Sequence, residues 1–218
     1  MDNNFQFDFW QKKEHSFRDT NHPVVRFFSQ QRSRLVKEYI PFDKIKTYLD
    51  IGSGDGVSAL YLSENLKVCV SDYSIHRLEK NKFSSKVVCD CNMLPFKDNS
   101  FDVVSCWEVL HHNLDIQKVI AEMKRISKKY VYVFEPNMCN PLQFFFALVS
   151  KEHYWVIKHR YTLKNLQNQF EKAGLKTTVA LNTGWIFPNK TPLWLLGVLS
   201  KLPFRYGLGI SNFLVFEK

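Results

Sequence analysis

The segment Asp50-Ile51-Gly52-Ser53-Gly54-Asp55-Gly56 concentrates the residue types that bind a small ligand through backbone. Glycines at three alternate positions let the chain adopt positive φ and let main-chain amides approach a ligand closely, above all where a strand gives way to a helix. Its spacing excludes two common chemistries. A dinucleotide fingerprint, G-x-G-x-x-G, would need its third glycine at position 57, where Val57 stands. No Gly-Lys-Ser/Thr follows, so the loop is not a phosphate-cradling P-loop.

Two further carboxylates recur in the same context. Asp72 closes the next β-like run, where an acid can accept from both hydroxyls of an adenosine ribose. Asp90 closes the third run and opens Asp90-Cys91-Asn92-Met93-Leu94-Pro95-Phe96, where it could accept from an adenine amino group. Each alone is also a serviceable turn or cap residue. Three carboxylates ending three successive strands point instead to one ligand crevice at the carboxyl edge of a sheet. No His/Cys/Asp/Glu group has metal-ligand spacing, so no metal is expected. The five cysteines include no C-x-x-C pair and read as reduced thiols of a cytoplasmic protein.

The elements that must position these residues alternate between strand and helix from Lys46 to Phe134, the pattern of βαβ units. Strands are expected at Thr47–Ile51, Lys67–Ser71, Lys86–Cys89, Phe101–Cys106 and Tyr130–Phe134. Between them, helices are expected at Val57–Ser63 and Ser74–Lys80, and through the apolar stripe Ile116, Val119, Ile120, Met123 and Ile126. Another helix should run from Val24 to Tyr39. A last one should start at the Thr162 cap and stop near Gly174, with strands at Leu175–Leu181 and Asn212–Phe216 after it.

Taken together, the stretch from Tyr48 to Asn137 resembles the class I S-adenosylmethionine-dependent methyltransferases, within their type 11 small-molecule group. The resemblance rests on Leu49-Asp50-Ile51-Gly52-Ser53-Gly54-Asp55-Gly56, Ser71-Asp72-Tyr73-Ser74 and Asp90–Phe96. It extends through Asn99-Ser100-Phe101-Asp102-Val103-Val104, Glu108-Val109-Leu110-His111-His112 and Phe134-Glu135-Pro136-Asn137. It implies an α/β fold, a single Rossmann-like, seven-stranded, mostly parallel sheet with helices on both faces and the last strand antiparallel. It also implies S-adenosyl-L-methionine as cofactor. Asp50, Gly52, Ser53, Gly54 and Gly56 would then contact its methionine end, Asp72 its ribose, and Tyr73 would pack beside the adenine. Asp90 and Cys91 would read the adenine edge with Asn92 close by, and Cys106 and Trp107 would border the methionine moiety.

A hydroxyl acceptor would profit from a positioned base. His111, His112 and Glu135 are the candidates, because they leave the fourth and fifth strands on the cofactor side. The competing reading makes the imidazoles loop anchors and Glu135 a buried acid bonded to loop amides. His153 and His159 are weaker candidates in a lid-like stretch, and the segment holding Trp10, His15, Phe17 and Arg18 could close over the cofactor.

The whole chain, 1–218, reads as one methyltransferase domain. It comprises an N-terminal helical cap (1–40), a cofactor-binding core (41–135) and aromatic-rich helical lid insertions at 136–161 and 183–210. The 218 residues carry 19 Phe and a net charge of +9, and that excess lies wholly beyond residue 121. Apolar runs such as Leu142–Val149 and Leu193–Leu199 are too short to span a bilayer, yet cations flank them. The expected acceptor is therefore a small, hydrophobic or lipid-linked molecule, methylated on oxygen or carbon, with peripheral contact at the inner membrane surface. Two alternatives stand beside it. One is an RNA methyltransferase using the basic C-terminal surface; the other is a catalytically silent cofactor-binding subunit. The segment after the fourth strand, Cys106-Trp107-Glu108-Val109, lacks the Pro-Pro-aromatic motif of nucleobase amine methylation, which disfavours nucleic acid.

Overall fold

The computed structural model describes residues 18–62, 64–113, 115–149, 161–187, 191–205 and 207–218. Helix α1 (Pro23–Tyr39) starts where His22 Nδ1 accepts from the Val24 amide at 3.3 Å and Pro23 supplies a preset φ. It buries Val24, Val25, Phe28, Leu35 and Val36 along one face. The α/β core follows as β1 (Thr47–Ile51), β2 (Lys67–Asp72), α2 (Ile75–Glu79), β3 (Ser85–Val88), β4 (Phe101–Trp107), α3 (Ile116–Ile126) and β5 (Ser127–Pro136). The C-terminal part adds α4 (Pro141–Val149), α5 (Leu163–Lys172), β6 (Lys176–Thr183), α6 (Leu193–Leu199) and β7 (Ser211–Glu217).

The seven strands form one sheet in the order β3-β2-β1-β4-β5-β7-β6. Strands β3 to β5 pair in parallel, and β7 runs antiparallel to both β5 and β6. This is the seven-stranded sheet with a reversed last strand that the sequence leads one to expect. The order reverses direction at β1, so the carboxyl ends of β1 and β4 open a crevice at the switch point.

Side-chain alternation splits the sheet into two apolar layers. Leu49, Ile51, Val104, Cys106, Val131 and Val133 pack with α3 and with Leu166 and Phe170 of α5. Tyr48, Val103, Trp107, Tyr132, Phe134 and Phe213 pack with Leu35, Val36 and Ile40 at the end of α1.

The helix expected over Val57–Ser63 does not form. As far as the described residues go, the chain turns instead through i→i+3 bonds, Gly56 N–H to Ser53 O (2.8 Å), Ala59 to Gly56 and Leu62 to Ala59. The helical ladder loses to tertiary partners here. Ser58 Oγ donates to Asp50, and the Val57 carbonyl accepts from Ser29 Oγ of α1. β1 spans the expected residues and β3 is shifted by one, the other strands move by one or two residues at an end, and β5 grows most, by three residues before and two after the expected run, so that it follows α3 without a turn.

Candidate functional site

The glycine loop is packed from behind, which is why it must be glycine. Gly52 has φ +64°, and a Cβ there would lie 2.3 Å from Val109 Cγ2. Gly56 has φ +78°, and a Cβ would lie 2.6 Å from Asn81 Oδ1. Asn81 itself donates from Nδ2 to Ser53 Oγ (3.2 Å) and to the Gly54 carbonyl (3.1 Å), fixing the loop's curvature. Ser53 N–H donates to the Ser71 carbonyl at 2.9 Å, so the loop is also tied to β2.

Asp72 stands beside this loop at the end of β2. Its Oδ2 accepts from Gly54 N–H and its Oδ1 from Ser74 N–H, both at 2.9 Å. A carboxylate has about four acceptor sites, so lone pairs remain for a ligand diol. Burial pushes its pKa up, against the hydrogen bonds that favour the charged form. Asp90 is exposed beyond β3 and accepts from the amide and side chain of Asn92, both at 2.8 Å. Tyr73 and Met93 stand exposed near these acids, offering apolar surface that a flat ring could cover. Cys91 Sγ donates to Asn113 Oδ1 at 3.2 Å, tying the Asp90 turn to the loop after β4.

Asp50 is placed otherwise than expected. It is fully buried within β1, and both oxygens are taken by hydroxyls, Oδ2 by Ser58 and Oδ1 by Ser105 (2.8 Å). Ser105 also bonds Tyr48, whose hydroxyl lies 2.8 Å from that of Tyr132. Burial raises the Asp50 pKa to about 7, partly offset by the two serine hydroxyls. The residue is thus a strut under the loop and presents no carboxylate oxygen to the crevice. Cys106 and Trp107 likewise turn their side chains into the two cores rather than toward a ligand, because adjacent strand residues alternate faces. Their backbone still ends β4 at the crevice.

His111 and Glu135 come together as one buried unit. Glu135 Oε1 accepts from the amides of Val109 (2.9 Å) and Leu110 (2.8 Å), while Oε2 lies 2.8 Å from His111 Nδ1. This geometry clamps the loop after β4. His112 is half-buried, its ring 4.0 Å from that of His111, and is the more accessible imidazole.

Sequence reasoning missed a polar cluster over the loop. Arg18 donates from its amide and from Nε to Asp55 Oδ2, each at 3.1 Å, so the chain before α1 is anchored on the glycine loop. Arg32 of α1 donates from Nη2 to Glu108 Oε1 (2.9 Å) and Ser211 Oγ (2.6 Å). Glu108 adopts φ +57° just after β4 ends, and the nearby Arg32 and Arg18 hold its pKa down at about 2 against the desolvation of its partly covered carboxylate. These pairs join residues 37 to 179 positions apart, and no local pattern announces them. Of the expected N-terminal cover, Trp10, His15 and Phe17 lie outside the described residues, as do His153 and His159. Among the described residues, no group of three or more potential metal ligands occurs.

Residues 49–134 match the family described as "Methyltransferase domain". A demethylmenaquinone methyltransferase of Corynebacterium glutamicum is 32% identical over 57% of this chain and 54% of its own length. The chain spans about half the length of the curated relatives it matches. Among solved structures, a Thermotoga maritima methyltransferase described as a possible histamine N-methyltransferase aligns with TM-score 0.69 at 22% identity, covering 89% of this chain and 91% of that one. Magnesium protoporphyrin IX methyltransferase from Synechocystis, with S-adenosylhomocysteine bound, aligns with TM-score 0.62 at 12% identity over 99% of both chains.

Proposed function

Starting from a type 11 methyltransferase domain over residues 49–134, we propose that this protein binds S-adenosyl-L-methionine in the crevice above β1 and β2 and methylates a small apolar acceptor. One observation carries the reading: a loop whose Gly52 and Gly56 take positive φ with no room for a Cβ, with free acceptor capacity on Asp72 and Asp90 at the ends of the next two strands. Those residues fit the molecule. Asp72 would take the ribose hydroxyls, Asp90 and the Cys91 amide the adenine edge, Tyr73 and Met93 its faces, and the Gly52–Gly56 backbone the methionine end. When bound, the sulfonium supplies an already activated methyl group. The chain's own residues therefore position rather than activate: Glu135 and His111 fix the loop after β4, and Arg18 closes the glycine loop from above. His112 is the group we place nearest an acceptor proton, because it is the accessible member of the pair.

The apolar acceptor is supported by the C-terminal elements. Helix α4 exposes Leu142, Phe145, Leu148 and Val149, and α6 exposes Leu193, Trp194 and Val198. Lysine and arginine outnumber acidic residues beyond position 121, a charge that would suit an anionic bilayer from which a lipid-soluble acceptor could be drawn. No described helix is long and apolar enough to cross a membrane.

Transfer of radiolabelled methyl from S-adenosyl-L-methionine into whole-cell extract tests the reading. Label in the organic phase, resistant to nuclease, is expected. Label confined to nuclease-sensitive material would replace it with RNA methylation on the basic C-terminal surface, and binding of the cofactor with no labelled product would leave a silent subunit.

A further inference from the structure

We propose that the edge of the sheet at which β1 to β5 end is a membrane-docking face, where α4 and α6 enter the headgroup layer of an anionic bilayer without crossing it. Docking deepens the acceptor reading and rests on it only for its purpose; the binding itself needs no methyl transfer. Helix α6 reads Leu-Trp-Leu-Leu-Gly-Val-Leu, and not one of its residues is buried. Leu196 and Leu199 pack with the cluster of Val24, Val25 and Phe28 on α1. The remaining side leaves Trp194 77%, Val198 58% and Leu193 55% exposed, and Leu202 continues it past the helix. A second apolar group is fixed at the same edge. Asn140, just before α4, donates from Nδ2 to the Leu208 carbonyl, and Asn137 Nδ2 donates to the Gly209 carbonyl at 2.7 Å. These bonds tie the start of α4 to the chain that runs from α6 into β7, with Leu142 and Leu208 half exposed. Strands β5 and β6 end at this edge and β7 begins there, so both helices hang on the side of the sheet that carries the glycine loop.

Charge decides what covers these helices. No aspartate or glutamate occurs from Lys172 to Phe216, a stretch that includes β6 and α6. Helix α1, against which α6 packs, turns Arg26, Arg34 and Lys37 to solvent, and Lys201 is exposed just past α6. Among the described residues none of these four forms an ion pair. Glu38, the one acid of α1, is paired with Arg205. An apolar face with cations and no free acid beside it has the composition of an interfacial element, whose apolar side sinks about 5–10 Å while basic groups meet lipid phosphates. Tryptophan suits that depth, because its ring is apolar and its N–H is wet. A second copy of the chain is a poorer occupant. A two-fold contact sets one patch against itself, so basic flank would meet basic flank. A protein partner would ask for roughly one hydrogen bond per 100–200 Å² of interface, and Trp194 is the one side chain of α6 that can form any.

Sedimentation of the full chain with sucrose-loaded vesicles tests the proposal, with S-adenosyl-L-methionine titrated in lipid-free solution in parallel. Vesicles of phosphatidylcholine containing one third phosphatidylglycerol should bind the wild type at least about tenfold tighter than phosphatidylcholine alone. Trp194→Glu combined with Leu142→Glu should cut that binding at least about tenfold, whereas Trp194→Phe should keep it. Arg34→Gln combined with Lys37→Gln should narrow the gap between the two vesicles. Lipids brominated along the acyl chain should quench the emission of the wild type more than that of Trp194→Phe. All four side chains are exposed, so each variant should melt close to the wild type. Binding to neither vesicle, equal binding to both, or binding that survives the paired glutamates would each overturn the docking face. A concentration-dependent dimer that the same glutamates dissociate would overturn it too, in favour of a second copy. Vesicle binding without cofactor binding would overturn the methyltransferase reading alone, and cofactor binding without vesicle binding would overturn docking alone.

Discussion

At neutral pH the Asp50 carboxyl is about half ionised, because burial lifts its pKa to about 7 and the serine hydroxyls offset only part of the shift. An unfolded aspartate ionises near 3.9. Between those values the folded state binds more protons than the unfolded one, so this residue's contribution to stability falls as pH rises from 4 to 7. The loss approaches ~4 kcal/mol at pH 8. Asp50→Asn should therefore be close to neutral near pH 4 and increasingly stabilising toward pH 8, as read from urea midpoints of the two proteins. Gly52→Ala fails for a different reason, positive φ and a Cβ within the Val109 side chain. It should cost at least ~1–3 kcal/mol of stability, and titration should find cofactor affinity lowered more than tenfold.

The loop after β4 depends on a single carboxylate, since Glu135 holds two amides and one imidazole. Glu135→Ala strands these donors and should cost ~3 kcal/mol, with hydrogen exchange rising first at the Val109 and Leu110 amides. A rise spread evenly over β5 would instead mean that the strand, not the loop, relies on this residue. At this scale the sequence was legible wherever an element was decided locally. The run of β-formers in Tyr130–Phe134 and the stripe from Ile116 to Ile126 announced β5 and α3. It misled where long-range partners won. Ser58 and Val57 gave up a helix to Asp50 and Ser29, and Asp50, a motif carboxylate, turned inward to Ser105 across 55 residues. The pairing of Arg32 with Glu108 and Ser211 left no trace at all, because its members lie on three separate elements.

For the whole molecule, a ligand that binds only the folded chain adds RT ln(1 + [L]/Kd), ~2.7 kcal/mol at a hundredfold excess over Kd. For a domain of this size that corresponds to a rise of about 5–10 °C in Tm. S-adenosyl-L-methionine should produce it in a thermal melt, Asp72→Ala should lose most of it, and adenosine alone should give a smaller part. A shift that persists in Asp72→Ala would move the ribose site away from β2.

Strand β7 enters the sheet between two strands that were both made before it. On the ribosome β1 to β5 can complete their mutual pairing while β7 is still being synthesised, so the N-terminal, parallel part of the sheet can be assembled first. Until then β5 ends in an open row of amides and carbonyls, and β6 has no neighbour to join. The C-terminal half is thus born late and all at once, when one seven-residue strand closes both gaps. A second nascent chain offering its own β7 would fill the same slot equally well. Exchange of that strand between copies is the misassembly this topology invites when synthesis is crowded.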